Sequence, residues 1–286
     1  MSYKIITDSC CDFTSQQYID LNLTMIPLTV EFRGEVGEDR NDDSLKTMYD
    51  AMRAGEGAKT SAANPDQWAR VIEPVLEQGH DALVMAFSSG LSTTYQSAVI
   101  ASQELSEKYP DRKILVCDTL CASMGQGLLV WYACRKRDEG VTLEEVYNWV
   151  EENKLHLCHW FTVDDLMHLK RGGRVSAATA IVGTMLGIKP VLQMDSEGHL
   201  IKVGTARGRK KAIEALAEKY AELSYEEKNT PIFISHAEAE NDAKQLADIL
   251  KQRHGAEVTL ITEIGPVIGS HAGPGTIALF FIGKHR

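Results

Sequence analysis

Short apolar runs alternate with helical patterns over the first half of the chain. Four runs, residues 4–7, 23–30, 82–87 and 113–117, have the length and aliphatic content of buried strands. Between them, Trp68, Val71, Ile72, Val75 and Leu76 recur at three- and four-residue spacing. They follow Asn64-Pro65, an N-cap with proline at the first helical position. Pro74 inside that pattern predicts a kink or a break. Residues 123–137 predict a largely buried helix with a basic end, and Thr142-Leu143-Glu144-Glu145 is a capping box opening a helix that runs to Asn153. This alternation predicts a mostly parallel sheet with right-handed crossovers and helices on both faces. Such sheets bind ligands beyond the carboxyl ends of their strands, where Asp8-Ser9, Ser88-Ser89 and Asp118-Thr119 fall.

From about Leu155 the pattern changes. Residues 188–194 and 199–205 flank the turn Asp195-Ser196-Glu197-Gly198 and predict an antiparallel hairpin. Helices over 208–223 and 238–254 alternate with strands over 231–235 and 257–261, and 276–282 predicts a closing strand. The expected fold class is therefore α/β: an N-terminal domain over residues 1–153, then a C-terminal α+β domain over 154–286. The acidic loop 34–43 is the segment expected to be mobile.

Length and charge narrow the function. The chain's 286 residues suffice for two cores. Thirty Lys and Arg against forty Asp and Glu leave a net charge of −10, which argues against broad nucleic-acid binding. Residues 170–211 run the other way, with nine basic and two acidic residues, so a +7 stretch sits on a −17 remainder. A basic face suited to an anionic ligand or an acidic partner is the consequence. The six cysteines contain no CxxC pair, the opening Lys4-Ile5-Ile6-Thr7 is too short for a secretion signal, and no apolar run is long enough to span a bilayer. A cytoplasmic location without stable membrane insertion is expected.

The candidate chemistry lies in loops. Ser88-Ser89-Gly90-Leu91-Ser92-Thr93-Thr94 interrupts an apolar run before a helix, and its hydroxyls and backbone N–H groups form an expected anion cradle. Helix capping accounts for one of those hydroxyls but not for five around a glycine. Lys59-Thr60-Ser61 serves ordinary turn bonds or a site equally well. His271, inside Gly269-Ser270-His271-Ala272-Gly273-Pro274-Gly275, supplies a second turn-rich loop with a titratable donor. Leu169 to Ser176 reads as a helix end with a glycine cap, but Arg174, Arg207, Arg209, Lys210 and Lys211 keep a docking face in play. Residues 177–186 are small and apolar, either core or the wall of a ligand site.

Taken together, Thr7-Asp8-Ser9, Lys59-Thr60-Ser61, Ser88-Ser89-Gly90-Leu91-Ser92, Thr94-Tyr95-Gln96-Ser97-Ala98, Gly172-Gly173-Arg174, Ile188-Lys189-Pro190 with Arg207, and Gly265-Pro266 with His271-Ala272-Gly273-Pro274-Gly275 resemble the DegV family. The resemblance implies a bacterial fatty-acid-binding carrier without a cofactor, whose ligand is a long-chain fatty acid and whose partner is the ATP-binding subunit of a fatty acid kinase. It implies that Thr60, Ser61, Ser92 and His271 surround the carboxylate at the domain junction, with the acyl tail beside 177–186 in the second domain. It further implies that Arg174 and Arg207 dock the kinase. Thr93 departs from the glycine the family usually carries there, so it either adds a hydroxyl to the clamp or narrows it. The rival reading is an acyl hydrolase with Ser92 as nucleophile and His271 as base. Against it, the loop lacks a GxSxG elbow, and only Asp8 or Asp118 could serve as a third group. No P-loop is present for phosphoryl transfer. A protein-docking module without a ligand is the third class.

Overall fold

The structure, a computed structural model, describes residues 2–39, 45–176, 187–225 and 230–286. β1 (Tyr3–Asp8), β2 (Leu23–Ile26), β6 (Asp81–Ala86) and β7 (Ile114–Asp118) form a parallel sheet in the order β2-β1-β6-β7. Its residues alternate between two covered faces. Ile6, Ala82 and Val84 pack with α3 (Pro65–Glu77) and α4 (Thr94–Lys108), through Trp68, Ile72 and Ala101. Ile5, Leu83 and Met85 pack instead with α5 (Met124–Asp138) and α6 (Leu143–Asn153), through Leu128, Val146 and Val150. Burial on both faces is why these strands read as continuous apolar runs.

The run 23–30 is two strands, because Pro27 has no N–H to continue a ladder. Its second part is β3 (Thr29–Phe32), the middle strand of a small antiparallel sheet with β4 (Glu35–Glu38) and β5 (Lys59–Ser61). β4 takes the place of part of the loop expected over 34–43. Arg33 and Gly34, both at positive φ, turn the chain so that Glu35–Glu38 pairs with β3, and Asp39 beyond it is buried; 40–43 lie outside the described residues. α3 runs through Pro74 without a break. Pro74 and Arg70, one turn earlier, are both exposed, so the carbonyl that proline leaves unbonded faces water. α1 (Ser15–Asp20) and α2 (Lys46–Arg53), both short, complete this half.

The second sheet has six strands in the order β10-β9-β8-β13-β11-β12. β9 (Ile188–Met194) and β10 (Leu200–Arg207) are the expected hairpin, and β13 (Ile277–Ile282) the expected closing strand. β11 (Phe233–His236) and β12 (Leu260–Glu263) are its parallel pair. β8 (Leu157–Thr162), with every residue buried, pairs with both β13 and β9; its Cys-His-Trp start hides it from a sequence scan. One sheet face carries Trp160, Leu279 and Phe281 against α8 (Arg209–Leu223) and α9 (Glu240–His254). The other carries Phe161, Ala278 and Phe280 into the cluster that contains α5, so α5 is sandwiched between the two sheets. α7 (Leu166–Arg171) ends in the anticipated glycine pair, and α10 (Pro266–Ala272) replaces the loop expected around His271. No helix among the described residues is long and apolar enough to cross a membrane.

Candidate functional site

A cavity of about 380 Å³ lies between the two sheets, a size typical of small-molecule sites. Its apolar wall includes Leu28, Phe87, Met194, Phe161 and Phe280, from both halves of the chain. Its polar residues include Thr60, Ser61, Ser92, Thr93, Arg174 and His271. Residues up to 211 positions apart in sequence thus meet in one wall, and Thr60 Oγ1 lies 2.8 Å from His271 Nε2.

Each side chain is delivered by a local device. Thr60 sits in β5, held in register opposite Val30, with Ser61 opposite Thr29. Ser92 stands one residue before Thr93, the N-cap of α4: its Oγ accepts the Thr94 N–H at 3.2 Å and shares a hydrogen with Thr94 Oγ1 at 2.8 Å. Thr93 makes no side-chain cap bond, is exposed and lines the cavity at φ −79, a conformation that requires no glycine. His271 occupies the last turn of α10, which stops at Gly273 with φ +83.

The cradle differs from the sequence expectation in its donors. Ser89 N is bound to Asp118 Oδ1, Gly90 N to Ser88 Oγ, Leu91 N and Ser92 N to Ser88 O, and Thr94 N to Ser92 Oγ. A tight turn has absorbed these backbone N–H groups, so hydroxyls face the cavity in their place. Ser88 is spent structurally, donating to Gly198 O at 2.9 Å, while Ser89 lines the cavity.

His271 is a neutral group at physiological pH. Burial, aided by the nearby Arg174 charge, pulls its pKa down to about 4. Its Nδ1 is buried without a hydrogen bond among the described residues, and Gly172 lies so close that a Cβ there would sit 2.1 Å from Nδ1. That contact is a physical reason for glycine at 172. Arg174, half-buried, donates through Nε to Leu91 O at 3.1 Å and through Nη1 to Gly172 O, tying the end of α7 to the cradle loop. Its guanidinium thereby lines the cavity. Arg207 is elsewhere: it is exposed at the end of β10, paired with Ile188, and is not among the lining residues. The 177–186 segment expected beside the acyl tail lies outside the described residues.

The hydrolase constellation is not assembled. Ser92 bonds to Thr94 and His271 to Thr60, with no hydrogen bond between Ser92 and His271. Asp8 is committed to Phe87 N and Cys10 N, and Asp118 to Ser89 N and Leu120 N, so neither orients the imidazole. Among the described residues no group of His, Cys, Asp and Glu could hold a metal ion.

Sequence reasoning missed His159 and Ser123, which also line the cavity. His159 stands opposite Phe280, three residues along β8 from Thr162, the partner of Ile277; at about 3.3 Å per residue this is roughly 10 Å from the end where β13 begins. Ala122 N donates to its Nε2 at 3.4 Å, and burial drives its pKa well below the usual histidine range. With every residue of 157–162 buried, the segment carries no apolar–polar alternation that could have marked His159.

The family profile described as "Uncharacterised protein, DegV family" matches residues 2–284. A DegV domain-containing protein of Clostridium perfringens is 41% identical over 286 residues, covering 99% of this chain and 98% of its own. The solved structure of a DegV family protein from Thermus thermophilus, described as fatty acid binding, superimposes with a TM-score of 0.90 at 32% identity, covering 99% of this chain and 100% of the other. The fatty acid kinase B3 protein of Streptococcus pneumoniae, solved loaded with linoleic acid, shares the fold at 24% identity with a TM-score of 0.87, covering 99% of this chain and 100% of its own. On this full-length match, the chain belongs to the DegV family.

Proposed function

We propose that the protein is a cytoplasmic carrier, not itself a catalyst, that binds one long-chain fatty acid. Its carboxylate sits among Thr60, Ser61, Ser92, Thr93 and His271, where domains 1–153 and 154–286 meet. The observation that carries this reading is the pairing of an apolar cavity with one wall of hydroxyls, a neutral imidazole and a guanidinium. About fifteen methylenes at roughly 0.8 kcal/mol each give on the order of 12 kcal/mol of gross transfer free energy. Ordering and desolvation subtract from it. An ionised carboxylate buried without partners costs several kcal/mol, which is the role this reading gives the polar wall. The fatty acid binding of the Thermus thermophilus relative supports the same class of ligand.

The expected result is that protein purified from cells yields roughly one long-chain acid per chain on solvent extraction and mass spectrometry. Repeated recovery of nothing, with no thermal shift on adding long-chain acids, overturns the reading. The finer proposal is that the bound acid is presented to the ATP-binding subunit of a fatty acid kinase, with Arg174 and Arg207 at the docking face. The fold shared with the Streptococcus pneumoniae kinase B3 protein supports it. Because Arg207 is exposed and not among the lining residues, Arg207→Ala should leave bound lipid unchanged. The same variant should lose acyl-phosphate formation with ATP and a kinase subunit; full activity would remove the docking role.

A further inference from the structure

The helix that carries His271 starts against two carboxyl groups from the opening segment of the chain. Asp12 Oδ1 accepts the Gly265 N–H at 2.9 Å, and Asp39 Oδ1 accepts the Val267 N–H at 2.9 Å. Both acids are deeply buried, at 1% and 3% exposure. Asp12 holds a left-handed conformation at φ 56, and its Oδ2 takes the hydroxyl of Ser123, which lies 2.9 Å from Ser235 Oγ in β11. Asp39 Oδ2 is buried with no close hydrogen-bond partner among the described residues, the Ser9 hydroxyl being its polar neighbour, and the two acids border a gap of about 10 Å³ shared with Ser9, Ser15 and Gly265. The approach is tight: a Cβ at Gly265 would lie 2.9 Å from Asp12 Oδ1 and 3.3 Å from Asp39 Oδ1.

Two buried carboxyls are more than a seven-residue helix needs for its own ending. One side-chain acceptor caps an ordinary helix, and Pro266 has already removed one donor. A carboxyl taken out of water is a poor stabilising element even when hydrogen-bonded. What the pair supplies is placement. A third anchor, the Tyr49 hydroxyl, donates to Ile264 O at 2.7 Å, and a Cβ at Gly269 would lie 2.3 Å from that hydroxyl. These contacts fix the helix from its entry to its middle. Val267, Ile268 and His271 then fall on one helical face, and all three line the cavity.

We infer that Asp12 and Asp39 are positioning residues of the head-group site: they grip α10 by the N–H groups at its start and set the rotation that brings His271 Nε2 to Thr60. The inference rests on the reading of the cavity as a fatty-acid carboxylate site.

The test uses delipidated full-length protein and two ligands that share a chain, tetradecanoic acid and tetradecan-1-ol. In Asp39→Ala the acid should bind at least tenfold more weakly and the alcohol less than threefold more weakly. The His271 ring nitrogen shifts should move with it. Asp39→Asn keeps an oxygen that can accept from Val267 N, and should return both the acid affinity and the shifts to near the parent values. Equal losses for acid and alcohol, or no loss for either, overturn the positioning role. If Asp39→Ala does not fold, Asp39→Glu, which moves the acceptor by one methylene, carries the same comparison. A parent protein that fails to prefer the acid over the alcohol overturns the head-group reading itself, a result distinct from an unchanged preference in the variants.

Discussion

Ser92 joins two kinds of work in one hydroxyl. It accepts the Thr94 N–H at the start of α4, and it lines the cavity beside Thr93. Ser92→Ala should therefore lower the stability of the delipidated protein by about 1 kcal/mol, the usual net contribution of one hydrogen bond. It should also weaken acid binding by about 1.5–3 kcal/mol, the range for hydrogen bonds to charged groups. Urea unfolding without ligand and calorimetry with ligand read the two effects separately. A loss of affinity with unchanged stability would mean that the Thr94 N–H finds another acceptor when the Ser92 hydroxyl is removed. No ester turnover should accompany either variant or parent, because Ser92 and His271 each bond elsewhere.

At the scale of elements, the loop 88–94 is clamped by the β9–β10 turn. Ser88 Oγ holds Gly198 O, and a Cβ on Gly90 would lie 2.7 Å from Gly198 O and 2.8 Å from Glu197 O. Backbone meets backbone there, so nothing soft can yield. Gly90→Ala should cost about 1–3 kcal/mol by overpacking and should loosen Met194 and Leu200, which line the cavity just beyond that turn. Gly57→Ala, with open space and no positive φ, is the neutral control; equal stability of the two variants would show that the turn is not clamped. This contact also shows what the sequence could and could not disclose. The strand–loop–helix at 81–108 and the hairpin at 188–207 were each legible, because periodicity and turn residues are local signals. That the turn of one packs on the loop of the other is a tertiary fact with no local trace. The same holds for the backbone donors of the cradle, which looked available in sequence and are consumed by a turn. Thr60, Ser61, Ser92, Thr93 and His271 could be named together only through family resemblance, since nothing in their spacing brings them to one wall. His159, Asp12 and Asp39 escaped because single polar residues in strands and turns carry no period.

At the scale of the whole molecule, buried histidines and buried carboxyls oppose each other in acid. Burial and the Arg174 charge hold His271 at about 4, so between roughly pH 6.5 and 4 the unfolded chain takes up a proton that the native state refuses. Stability from this group is complete above the unfolded histidine pKa and is lost as pH falls through that window. Burial pushes Asp8 and Asp39 up to about 6, with the opposite sign: below 6 the native state binds protons that the unfolded chain does not yet bind, so acid favours folding until about pH 4. Each group contributes a slope of at most about 1.4 kcal/mol per pH unit; buried His159, held well below the usual histidine range, adds to the loss on the His271 side, and buried Asp12, pushed up like Asp39, opposes it. His271→Gln should therefore reduce the loss of stability between about pH 7 and pH 5 by about 1–2 kcal/mol, while Asp39→Asn should deepen it. Urea unfolding of delipidated protein at the two pH values measures both. Parallel profiles for parent and His271→Gln would mean that the imidazole is already protonated in the native state near pH 5, and that the polar wall is cationic where the structure makes it neutral.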